Sequence, residues 1–237
     1  MLVIQRPSVE AISEAESNRQ EFAVGPLEPG FGHTLGNSLR RTLLSSIPGA
    51  AITQVRFDDA EHEFSTIGGV IEDVSDIILN LKDVVVACHS DDPVTVRLDA
   101  RGPGEVTAAA LEGHNDLEIL NPDLVLATLN DNGRLAAEVT FERGRGFLTS
   151  KRPAESGVIG VIPIDALFSP VRRVSFVVDP MQVAQATDHD RLVMEIETDG
   201  SISPREALAS AGGTLRALVQ LIEEMSDEPQ GLELAEA

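Results

Sequence analysis

The spacing of apolar residues changes along the chain, and each change marks an element. Leu35, Leu39, Leu43 and Leu44 recur at helical intervals and run into Pro48-Gly49, which predicts a helix over residues 34–46. A strand is expected before it, around Glu21–Val24, with Gly25-Pro26 as a break. Ala51–Phe57 alternates apolar and polar side chains, as a half-buried strand does. Ile71, Val74, Ile77, Ile78 and Leu81 return to helical spacing and predict a second helix, entered through the flexible Gly68-Gly69.

From about residue 84 to 170 the texture is β. Val94–Leu98 alternates, and Leu124–Leu129 and Leu135–Phe141 flank Asn130-Asp131-Asn132-Gly133, the composition of a hairpin turn. Residues 142–147 and the stretch to Gly160 read as loop, and 159–164 as strand. Val171–Val178 and Arg191–Thr198 give two more strands with a polar link between them, closed by Asp199-Gly200. Ser203-Pro204-Arg205-Glu206 then opens a helix, with Ser as N-cap, Pro at the first helical position and Glu completing a capping box. Leu208, Ala211, Leu215, Leu218 and Ile222 step by 3, 4, 3 and 4, a seam narrow enough for a partner helix. A β-rich middle between helix-bearing ends suggests one domain inserted in another.

Composition narrows the function. The chain has 237 residues, 42% of them hydrophobic, with eight Phe and neither Trp nor Tyr, so the core is aliphatic and aromatic stacking platforms are not expected. A formal net charge of −21 opposes general nucleic-acid binding, which needs clustered Lys and Arg. The acidic run from Glu223 to Glu236 reads as a solvated tail or linker. The single cysteine, Cys88, excludes an internal disulfide framework and reads as a buried apolar residue. The start lacks a secretory pattern and no 18-residue apolar run occurs, so a soluble, cytoplasmic protein is expected.

Catalytic motifs are wanting. Gly30-Phe-Gly-His-Thr-Leu-Gly36 has the spacing GxGxxxG, one residue too long for a dinucleotide loop, and no P-loop occurs. Its glycines suit a sharp bend and a close helix approach. His33, His62, His89, His114 and His189 form no ligand pattern, Asp188-His189-Asp190 reads as polar link, and neither a metal nor a cofactor is expected. Arg40 and Arg41 sit beside the leucine stripe about 100° apart, either solvated or suited to gripping a partner's carboxylate or carbonyl. Arg143/Arg145, Lys151/Arg152 and Arg172/Arg173 are further local positive patches.

Leu27-Glu-Pro-Gly-Phe-Gly-His-Thr-Leu-Gly-Asn-Ser-Leu-Arg-Arg-Thr-Leu-Leu-Ser-Ser-Ile-Pro-Gly-Ala50 resembles the signature of the family of α subunits of bacterial DNA-directed RNA polymerase. The likeness continues collinearly through His62–Thr66, Glu72-Asp73, Ile78–Lys82, Gly102–Thr107, Asn121-Pro122, Ala127–Asn130, Glu142–Gly146, Ile162-Pro163, Phe168–Val171, Thr187-Asp188 and Ile202–Pro204.

The resemblance implies an α+β fold: a dimerisation subdomain of helices and antiparallel sheet (1–49 and 171–226), with a β-rich subdomain (50–170) inserted in it. Residues 227–237 would start a linker. It implies a non-catalytic assembly platform that homodimerises and receives the polymerase β and β′ subunits. Carried over, the helices at 34–46 and 203–224 form the dimer interface, through Leu35, Leu39, Leu43, Leu208, Ala211, Leu215, Leu218 and Ile222. Arg40 and Arg41 contact β, and Lys82, Val171 and the loop around Gln182–Asp188, with Gln185 and Asp188, meet the large subunits. The chain departs from the family twice. It stops where the linker to a C-terminal DNA-binding domain would begin, as a truncated piece or a natural short form, so that domain is absent and no direct DNA binding is expected. The family's loop pattern Arg-Val-x-Gln-Arg-Thr-Asp is here Gln182-Val-Ala-Gln-Ala-Thr-Asp188 and lacks both arginines. A diverged, α-like paralogue or regulator that dimerises without supporting a productive enzyme stays an alternative.

Overall fold

Antiparallel pairing organises the chain, with three α-helices among the described residues. The computed structural model describes residues 3–4, 6–14, 18–111, 113–150, 160–183, 186–225 and 233–234. In chain order the first elements are β1 (Val3–Ile4), β2 (Ser8–Ala11), β3 (Arg19–Leu27), α1 (Phe31–Ser46), β4 (Pro48–Phe57), α2 (Val74–Lys82) and β5 (Val86–Cys88). There follow β6 (Val94–Arg101), β7 (Gly104–Thr107), a 3₁₀ turn (Ala108–Leu111), β8 (Leu117–Ile119), β9 (Val125–Leu129) and β10 (Arg134–Arg145). The last are β11 (Phe147–Leu148), β12 (Val161–Pro163), β13 (Ala166–Leu167), β14 (Val171–Val183), β15 (Ala186–Thr198), α3 (Pro204–Glu223) and β16 (Glu233–Leu234). The fold is α+β. Two compact units result: residues 1–47 with 171–237, and residues 48–170.

In the first unit, β14, β15, β3 and β2 form one antiparallel sheet in that order. Strand alternation sets its two faces. Leu192, Met194 and Ile196 of β15 are buried on one face, whereas Glu195 lies on the other, largely covered, between Arg19 at 2.7 Å and Arg173 at 3.6 Å. On the apolar face Phe22, Leu43, Ile47, Val174, Met194, Ile196 and Ala211 join α1 and α3 to the sheet. Each large aliphatic side chain so buried contributes about 1.5–3 kcal/mol. The polar link expected between two short strands does not exist, because β14 and β15 run on to pair Val183 with Ala186. Nor does Gly25-Pro26 end β3. The strand continues to Leu27, and a register shift between Asp190 and Leu192 of β15 absorbs the proline, which has no amide to donate.

The second unit is built on the sheet β12-β4-β10-β6. Phe141, Leu135, Val55, Ile77, Leu111, Leu126 and Ile164 fill its core, and α2 covers it with Val74, Ile77, Ile78 and Leu81. The solvent side carries a ladder of charges: Arg56 to Glu138 at 2.7 Å, Arg97 to Asp58, and Arg134 forked onto Asp99 at 2.6 and 3.0 Å. Arg97 holds the Asp58 carboxyl below the usual range, and Arg134 does the same for Asp99.

Three expectations are corrected here. The Asn130–Gly133 turn closes, with the Gly133 amide donating to the Asn130 carbonyl, but no hairpin forms: β9 pairs with β7, and β10 with β4 and β6. Residues 142–145 are strand, not loop, because β10 runs on beside Ala51, Ala50, Gly49 and Pro48. Ile71 lies outside the second helix. Its amide donates to the Thr128 carbonyl while the Glu72 carboxylate accepts the Thr128 amide at 2.7 Å and hydroxyl at 2.9 Å, so 70–72 is tied to β9 and α2 starts only after Asp73. Burial alone would raise Glu72; the Thr128 hydrogen bonds outweigh it and hold the carboxyl below its usual value.

Candidate functional site

The opening of α1 is set by glycine. Gly30, at the N-cap, has φ of 87°, a left-handed backbone that glycine adopts without strain. It offers no capping side chain, and Asp190 of β15 supplies one. Its Oδ2 accepts the amides of Gly30 at 2.8 Å and Gly32 at 3.1 Å. A carboxylate therefore already fills the place a phosphate would take at this loop. The helix also lies very close to the sheet: a Cβ on Gly32 would stand 2.7 Å from Val178, and one on Gly36 2.8 Å from the Phe176 ring.

Helical geometry then divides α1 into two faces. Gly32, Gly36, Leu39, Thr42 and Leu43 are buried, while His33, Asn37, Arg40, Arg41 and Leu44 are exposed. Neither Arg40 nor Arg41 has an ion-pair or hydrogen-bond partner for its guanidinium among the described residues. Two other cations singled out in the sequence are matched: Lys82 lies 3.6 Å from Asp165, and Arg143 2.8 Å from Asp91. Asp165 also accepts the Ser150 amide at 2.6 Å, and that bond, with Lys82 beside it, holds its carboxyl below the usual range.

The seam of α3 changes character along its length. The capping box forms, with the Glu206 amide donating to Ser203 Oγ and the Glu206 carboxylate accepting from the Ser203 amide. Ala211 is buried and Leu208 and Leu215 pack partly on the core of the first unit. Beyond them the sheet gives no cover: Leu218 is 56% exposed, Ile222 67% and Met225 84%, and Val219 and Leu221 are open too. In the same unit an open apolar groove of about 460 Å³ is lined by Val9, Phe22, Val24, Leu35, Leu39 and Leu208.

Most of the residues singled out in the sequence can therefore be placed. Leu39, Leu43 and Ala211 are core positions of the single chain, because the glycine face brings α1 onto its own sheet and α3 packs beside it. Leu35 and Leu208 line the groove, Leu215 packs at the core's margin, and Leu218 and Ile222 are free surface. Val171 is buried in the core at the start of β14 and offers no surface to a large subunit. Asp188 is a backbone position in β15, and Gln185, like Lys151 and Arg152, lies outside the described residues. Asp190 escaped sequence reasoning, although it shares the inward phase of Leu192, Met194 and Ile196. No group of three or more metal-binding side chains gathers among the described residues.

Comparison with known proteins gives one consistent result. Residues 55–169 match the family model described as the RNA polymerase Rpb3/RpoA insert domain. Proteins named DNA-directed RNA polymerase subunit alpha from Frankia casuarinae and Frankia alni are each 52% identical over 237 residues, covering 99% of this chain and 67% of theirs. A protein of the same name from Corynebacterium efficiens is 52% identical over 234 residues, covering 99% of this chain and 69% of its own.

Proposed function

Because the chain belongs to the family of bacterial RNA polymerase α subunits, we propose that it is the assembly platform of that enzyme, a homodimer that binds the β and β′ subunits. It is a non-catalytic subunit, and no direct DNA contact is assigned to it. No helix among the described residues is long and apolar enough to cross a membrane, and the proposed place of work is the cytoplasm.

The observation that carries the dimer is the pairing of a bare apolar helix end with an empty apolar groove. The first half of α3 lines that groove through Arg205, Leu208, Ala209 and Gly212. The second half continues the same helix and cannot fold back into it. A second copy can fill it, and two-fold symmetry makes the exchange mutual. Ile222 lies three residues from Val219 and four from Leu218, the spacing of helix-in-groove anchors.

Arg40 and Arg41 support the capture of β. They are exposed beside Leu44 on one face of α1, and neither guanidinium has an ion-pair or hydrogen-bond partner among the described residues. A planar guanidinium suits a carboxylate or carbonyl on a partner. The segment around Gln182–Asp188 and the end of α2 at Lys82 are the proposed contacts for the large subunits. Lys82 contributes less because it already faces Asp165. Co-purification with polymerase β tests the assignment: Arg41→Ala keeps the dimer and weakens β capture, whereas capture at the wild-type level removes that role. The absence of both family arginines from Gln182–Asp188 favours one rival, a diverged paralogue that dimerises only. A dimer that retains no β under any condition would establish the rival.

A further inference from the structure

We propose that Asp190 is the positioning residue for α1, fixing the Arg40–Arg41 face to the β14–β15 hairpin. The proposal deepens the assembly role above and rests on that reading for its functional consequence. A helix start exposes unsatisfied amides and the positive end of the helix dipole. Here the residue at the cap is Gly30, which has no side chain to answer them. Asp190 reaches in from a strand 158–160 residues away and accepts two of these amides with one oxygen, at 2.8 and 3.1 Å.

Steric fit fixes the same turn. A Cβ at Gly32 would meet Val178 at 2.7 Å and Asp190 itself at 3.0 Å; one at Gly36 would meet Phe176 at 2.8 Å and Leu192 at 2.9 Å. The His33 ring adds an edge-on contact with Phe176, centroids 6.3 Å apart. Every one of these contacts belongs to β14 or β15, the two arms of a single hairpin. At 1.5 Å per residue, Arg40 and Arg41 lie about 12–14 Å further along the helix axis from Gly32. A helix freed at its first turn would tilt or fray there, and the two guanidinium groups would lose their fixed position relative to the hairpin.

Asp190 touches no partner in this scheme and acts only through α1, so its test must separate positioning from general stability. The intact chain is compared with Asp190→Ala, Asp190→Asn, Arg41→Ala and the Asp190→Ala/Arg41→Ala pair, by amide hydrogen exchange and by capture of purified polymerase β. Loss of the two charge-assisted hydrogen bonds is expected to speed exchange at the Gly30 and Gly32 amides about tenfold or more, with core strand amides unchanged. β capture should fall about tenfold in Asp190→Ala. Asp190→Asn, which keeps an acceptor oxygen, should recover most of both. In the Arg41→Ala background, Asp190→Ala should cost less than a further twofold, because its effect runs through that face. Unchanged exchange at Gly30 and Gly32, unchanged β capture in Asp190→Ala, or a fully additive loss in the pair would each overturn the proposal. If Arg41→Ala alone leaves capture unchanged, the role of Arg41 in binding β falls, and the exchange at Gly30 and Gly32 alone decides whether Asp190 anchors α1.

Discussion

Replacing Ile222 with glutamate isolates the contact on which the proposed dimer depends. Ile222 is 67% exposed in the single chain, so the fold itself has little stake in it, within about 0.5 kcal/mol for a surface change. Full burial of such a side chain is worth about 1.5–3 kcal/mol, and covering the remaining two thirds gives about 1–2 kcal/mol. A two-fold contact uses the position twice, for about 2–4 kcal/mol per dimer. A carboxylate placed in an apolar groove adds its own desolvation cost. The dimer dissociation constant should therefore rise by about a hundredfold or more. Sedimentation equilibrium over a concentration series reads this directly, with far-ultraviolet circular dichroism showing that the monomer keeps its structure. Leu43→Ala is the contrasting control: Leu43 is fully buried, and its loss should cost about 2–5 kcal/mol of folding stability. A dimer as tight in Ile222→Glu as in the unaltered chain would refute the helix-in-groove contact.

The other predictions concern what holds the fold in shape. Gly36→Val should lower stability by about 1–3 kcal/mol, since its Cβ meets the Phe176 ring at 2.8 Å, whereas Gly213→Ala, with open space around it, should raise stability by about 0.5–1 kcal/mol; thermal denaturation that shifts both the same way would show that helix propensity and not fit decides. Ser203→Ala removes the capping box and should cost about 1 kcal/mol, read as a lower urea midpoint; an unchanged midpoint contradicts it. Asp58, Asp99 and Asp165 have depressed carboxyl values in the folded state, so below the ordinary range near about 4 the unfolded chain binds more protons than the folded one. Their stabilisation is complete above that range and is lost as pH falls through the depressed values, and Arg97→Ala should flatten the loss by removing the partner of Asp58. A midpoint that rises on acidification would reverse the sign.

Periodicity made the three helices and the long alternating strands legible, and the Ser203–Glu206 cap could be read residue by residue. What it could not carry was which surface covers each apolar stripe. The stripes of α1 and α3 look alike in sequence, yet Leu39 and Leu43 lie on the chain's own sheet while Leu218 and Ile222 pass beyond its edge. The difference comes from Gly32 and Gly36, whose missing Cβ atoms let α1 sit down on Phe176 and Leu192. Turn chemistry likewise predicted the bend at Asn130–Gly133 but not its strand partners, because β7 and β6 reach β9 and β10 from elsewhere in the chain. Asp190 was invisible for the same reason: its partners are 158 and 160 residues away.

The mass of the complex formed with purified polymerase β tests the assembly role most directly. Light scattering coupled to size exclusion should give two copies of this chain per β subunit, and the Arg40→Ala/Arg41→Ala pair should leave the dimer at the same mass with little β bound. A chain that stays monomeric, or a dimer that carries β equally well without both arginines, would contradict it.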